Sequence, residues 1–163
     1  MVSEAVPPIC VPASDVDRLR QLALDALKDA DPVGRFLLSE LDRANVVASS
    51  QTPSDIVRID HWVTFREDRE GPAQSRVLTF PENCHNQAIH LSVASPIGAA
   101  VLGLHSGASM HYVDDNGVTR LAIVEDLSPP PGISFFRPAN ARPVVRKPDF
   151  DPSPDPDPGP SAA

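Results

Sequence analysis

The sequence predicts an α+β fold: a short N-terminal antiparallel helical hairpin, then an antiparallel β domain with one short helix, then a disordered Pro/Asp-rich tail. Three observations predict it. Apolar residues recur at helical spacing through the first third of the chain. The apolar period then changes from 3.6 to 2 beyond about residue 54. Eleven of the 19 prolines lie between Pro129 and Pro160, which leaves about 115 residues to fold around one hydrophobic core. The divisions that follow are a hairpin at 14–47, a β domain at 54–128 and a tail at 129–163.

Each element has its own signal. Ser14 reads as an N-cap, and Val16, Leu19, Leu22, Ala23, Ala26 and Leu27 recur on one face, so a helix is expected over 15–29. Asp31-Pro32 restarts the pattern, with Asp31 as cap and Pro32 in the first turn, where a missing N–H does no harm. Phe36, Leu37, Leu41 and Ala44 carry the second helix to about Asn45, and so short a connection makes the two antiparallel. Residues 48–54 have linker composition. Val57, Ile59, Val63 and Phe65 then alternate with polar residues as a strand, which places His61 on the apolar face and Trp62 on the solvent face. Gly71-Pro72 turns the chain into a second strand, Arg76 to Phe80, and a third runs from Ala88 to Ala94. Ser95-Pro96 opens a short helix, Ile97 to Leu102, that Gly103 closes. Ser109–Val113 and Val118–Leu127 form a hairpin around Asp115-Asn116-Gly117.

Composition narrows the function. The formal net charge of −8 resides before the tail, where 18 acids face 10 bases, so a phosphate backbone is a poor partner and direct nucleic-acid binding is not expected. Cys10 and Cys84 read as free thiols of a reducing compartment. The first 13 residues lack the basic start and apolar run of a signal peptide, and no stretch reaches membrane-span length. A soluble, cytoplasmic protein is expected.

His61, His85, His90, His105 and His111 show no zinc-site spacing, and no metal or other cofactor is expected. The Gly98–Gly103 frame resembles a P-loop in glycine spacing, but Leu104 and His105 follow where lysine is needed; close packing at Gly98 and capping by Gly103 explain both glycines. Cys84 beside His85 lacks an orienting third group, so no catalytic residue is assigned. Asp29 and Asp31 at the hairpin tip have two readings, helix capping with solvation, or a carboxylate pair directed at a metal held by a partner enzyme.

Three segments carry a family resemblance: Leu38-Ser-Glu-Leu-Asp-Arg-Ala44, the strand ending in Phe65-Arg66, and above all Ser92-Val-Ala-Ser-Pro-Ile-Gly-Ala-Ala-Val-Leu-Gly-Leu104. They resemble the bacterial regulator of nucleoside diphosphate kinase family, Rnk, itself related to the C-terminal domain of the GreA and GreB transcript cleavage factors. The resemblance spans about Val16 to Leu127. It implies an FKBP-like β domain behind a short coiled coil, binding RNA polymerase near its secondary channel through the loop that enters the short helix, here Ser95, Pro96 and Ile97. The same residues have a structural reading, with Ser95 as cap, Pro96 in the first turn and Ile97 packed inward. Two departures matter. Each arm is only about 20 Å long, too short for the reach of a Gre coiled coil. The few aromatic residues give no proline pocket, so the fold does not imply prolyl isomerase activity. The expected function is that of a monomeric, non-enzymatic elongation regulator bound to RNA polymerase. Its rivals are a Gre-type cleavage stimulator using Asp29 and Asp31, and a regulator that contacts a nucleoside diphosphate kinase directly.

Overall fold

A computed structural model describes residues 5–132. The chain opens with β1 (Cys10–Pro12), followed by the helices α1 (Ala13–Lys28) and α2 (Pro32–Arg43) and the strand β2 (Asn45–Val47). Beyond it come β3 (Trp62–Glu67), β4 (Ala73–Thr79), β5 (His90–Ser92), α3 (Pro96–Val101), β6 (Ser109–Val113) and β7 (Thr119–Asp126).

The strand β1 has no counterpart in the sequence reading. Ile9, Cys10 and Val11 are buried, and β1 pairs in parallel with β2 across the helical hairpin. Its backbone is also held from the far side, where the Cys10 N–H donates to the Gly103 carbonyl at 3.0 Å. Because Pro12 ends this strand in an extended conformation, α1 starts immediately after it. Ser14 therefore lies inside the first turn, not at the cap, and its hydroxyl donates to Asp15 Oδ1 at 3.1 Å.

A Schellman motif closes α1: the Asp31 N–H donates to Ala26 O (2.9 Å) and the Ala30 N–H to Leu27 O (3.1 Å), with Ala30 at φ +58°. Asp31 then caps α2 as expected, Oδ1 accepting from the Val33 N–H at 2.9 Å. The two helices approach so closely that a methyl group at Gly34 would sit 2.6 Å from the Ala23 carbonyl oxygen. Leu19, Ala23, Leu37 and Leu41 on their inner faces belong to the same buried core as Val63, Phe65, Leu78 and Val124 of the sheet. The Arg18 guanidinium stacks on the Phe80 ring, 3.7 Å from its centroid, and pairs with Glu82. The hairpin thus packs into the core it shares with the rest of the domain, α2 against α3, and does not stand free.

The five-stranded sheet has the order β5-β4-β3-β7-β6. The antiparallel expectation holds for β3–β4, β3–β7 and β6–β7. At β5 it is corrected, because the chain loops back through residues 80–89 and lays β5 parallel to β4. The predicted strand from Val57 is also shorter, beginning at Trp62. Asp60 adopts φ +63°, which keeps Ile59 and Val63 both buried while turning His61 out. His61 is exposed, not a core residue, with Nδ1 2.8 Å from Ile59 O. Trp62 is half-buried. Of the expected tail, 129–163, the residues after Gly132 lie outside the described residues.

Candidate functional site

The loop between β5 and α3 is held by its own backbone. The Ser92 carbonyl accepts from the Ser95 N–H (3.0 Å) and hydroxyl (2.6 Å), while Ser92 Oγ accepts from the Ala94 N–H at 3.2 Å. Ser95 Oγ in turn accepts from the Gly98 N–H at 3.1 Å, which makes Ser95 the N-cap of α3 with Pro96 at the first helical position. Only glycine fits at residue 98, since a β-carbon there would lie 1.9 Å from Ser92 O. Gly103 ends the helix at φ +73° with the Cys10 carbonyl against it. The glycine pair that mimics a phosphate loop therefore serves packing and capping. Pro96 is half-exposed, and Ile97 packs partly against the core while keeping some surface in solvent. The structural reading of Ser95 is met, and the outer faces of Pro96 and Ile97 remain available.

The tip acids are not equivalent. Asp29 is exposed at the end of α1, and Asp31 has one carboxylate oxygen engaged by the backbone of α2. Lys28 pairs with Asp25, at 2.8 Å. Among the described residues, no group of three or more His, Cys, Asp or Glu is placed to hold a metal. The histidines are dispersed. His105 pairs with Asp55 at 3.1 Å, and His85 and His90 meet edge to face with their centroids 6.4 Å apart. His90 Nδ1 accepts from the backbone N–H groups of His85 and Asn86. Burial, then the charge of Asp55, pushes the Cys10 thiol above its usual range, which disfavours its thiolate; Cys84 is half-buried.

A groove of about 640 Å³, missed in the sequence reading, adjoins Pro96. Its helical side comes from the first two turns of α2, chiefly Val33 and Phe36, and its opposite side from Tyr112, Val113 and the β6–β7 turn. Three separate stretches of chain build it. The only local signal was Phe36 at the edge of the helical apolar stripe.

With this geometry in hand, the comparisons with known proteins have structural meaning. The sequence profile described as the Rnk N-terminus matches residues 7–47, the segment from β1 through the hairpin to β2. The regulator of nucleoside diphosphate kinase of Escherichia coli (strain K12) is 33% identical over 120 residues, covering 73% of this chain and 88% of that protein. The chain belongs to the regulator of nucleoside diphosphate kinase (Rnk) family. The Rnk protein of Shigella flexneri matches over the same shares of both chains at the same identity. Among solved structures, a prokaryotic transcription elongation factor GreA/GreB from Nitrosomonas europaea superposes with a TM-score of 0.59 and 25% identity, over 74% of this chain and 99% of that one. Both β1 and β2 lie within the segment that the Rnk profile matches. Among the described residues, no helix is long and apolar enough to cross a membrane.

Proposed function

We propose that this Rnk-family regulator binds RNA polymerase at the entrance of its secondary channel and modulates elongation as a monomeric adaptor without transcript cleavage. The observation that carries the reading is the likeness to the GreA/GreB elongation factor over nearly all of that chain, centred on a fold whose α3 entry loop is rigid and outward-facing. A preformed loop binds with little loss of conformational entropy, which suits a small domain docking with modest area. Against cleavage stands reach. The two helices of 16 and 12 residues extend about 24 and 18 Å, and their inner faces are buried in the common core of the domain. Asp31 is also partly committed as a cap, which leaves Asp29 alone at the tip.

A second reading is direct contact with a nucleoside diphosphate kinase, favoured by the name that the 33%-identical relatives carry. One experiment separates the two. The full chain is immobilised and offered purified core RNA polymerase and purified nucleoside diphosphate kinase in parallel. Retention of polymerase, reduced by Pro96→Asp, supports the proposal; retention of the kinase alone replaces it with the second reading. Backtracked polymerase complexes given the chain and magnesium should release no short RNA ends, and their release would overturn the adaptor assignment.

A further inference from the structure

The groove beside α2 has features of a built binding surface. Its base is apolar, with Val33 at 6% and Tyr112 at 5% exposure. The Tyr112 hydroxyl donates to Glu67 Oε2 at 3.0 Å, so its one polar atom is satisfied and the ring contributes apolar surface. On the outer wall Val113 stands 57% exposed and extends the apolar lining to the groove's edge. Both walls are rigid. The Gly34 contact fixes α2 against α1. The β6–β7 turn is pinned by Asp114, whose carboxylate accepts from the N–H groups of Asn116 and Val118, both at 2.9 Å, and from Arg120 at 2.7 Å.

The rim sets the charge of the occupant. Asp114 is matched by Arg120, which leaves Asp31 and Asp115 against the single base Arg35. An acidic rim on a body with 18 acids and 10 bases repels phosphate and anionic membrane surfaces, and attracts cationic segments. We infer that the groove receives a short apolar segment flanked by lysine or arginine, presented by a partner protein. The apolar side chains cover Phe36 and Val113, and the flanking cations meet Asp31 and Asp115. Pro96 borders both this groove and the proposed polymerase loop, but the residues tested here, Phe36, Val113 and Asp115, lie outside the Ser95–Ile97 loop, so the two readings can fail separately.

The test uses the isotope-labelled full chain and two synthetic decapeptides with a Leu-Phe centre, one flanked by lysines and the other by glutamates. The lysine peptide should bind saturably and shift the amides of Phe36, Val113 and Asp115. The glutamate peptide should bind at least about tenfold more weakly, equivalent to roughly 1.4 kcal/mol. Val113→Asn, which removes the apolar contact without adding charge, should weaken the lysine peptide, and Asp115→Lys should narrow or reverse the preference. Both substitutions are at exposed positions, and an unchanged melting temperature confirms that each variant is folded. Absence of saturable lysine-peptide binding, equal binding by Val113→Asn, or shifts confined to other surfaces would each overturn the inference. So would concentration-dependent self-association through these same residues, which would make a second copy of the chain the occupant.

Discussion

Ala30 joins the two helices with a left-handed conformation that a side chain disfavours, because its β-carbon crowds the neighbouring carbonyl. The position lies in solvent, so Ala30→Gly relieves this crowding without removing a buried contact. The expected gain is about 0.5–1 kcal/mol in urea unfolding, the relief being partly offset by the greater freedom of glycine in the unfolded chain. A loss of stability would mean that the Schellman turn is not the resting geometry. Asp114 supplies a pH prediction. The hydrogen bond from Arg120, then the N–H groups of Val118 and Asn116, hold its carboxyl below its usual value of 3.8. A carboxyl depressed on folding stabilises the fold above its unfolded pKa, and the contribution disappears as pH falls through the folded value. Wild type should therefore exceed Asp114→Asn in stability at neutral pH, with the gap closing below about pH 4. A gap that stays constant down to pH 3 would show that the charge contributes nothing.

Among the elements, the hairpin decides whether the N-terminal segment is a separate arm or part of the fold. Leu37 is 1% exposed and lies in the core that α2 shares with the sheet. Leu37→Ala should cost about 2–5 kcal/mol and lower a single cooperative transition followed by both helix signal and Trp62 fluorescence. Separate transitions for the two probes would show an independently melting arm. The hairpin was legible in the sequence because Leu19, Ala23, Leu37 and Leu41 recur at helical spacing and Asp31-Pro32 marks the restart. Other elements were not. β1 is only three residues long and ends in Pro12, and its pairing with β2 exists only once the hairpin brings their ends together. The left-handed turn at Asp60 reversed the facing of His61 without a glycine or asparagine to announce it. The parallel edge at β5 depends on the path of residues 80–89, which local periodicity does not encode.

For the molecule as a whole, the α3 entry loop and the groove were legible to different degrees. Ser95-Pro96-Ile97-Gly98 is contiguous, and each residue has a local role that the sequence states: cap, first turn, apolar contact and close approach. The groove is convergent. Val33 and Phe36 meet Tyr112 and Val113 only after the sheet has formed, so no window of sequence contains it. Both surfaces sit on rigid elements of an acidic domain, which fits a protein that acts by docking. The most direct measurement is an anisotropy titration of the fluorescently labelled full chain with purified core RNA polymerase, repeated with Pro96→Asp. An acid at the first helical position is compatible with α3, so the variant should keep its melting temperature while placing charge on the contact face. The account predicts saturable one-to-one binding that this change weakens by about tenfold or more. No binding by wild type, or equal binding by the folded variant, would contradict it.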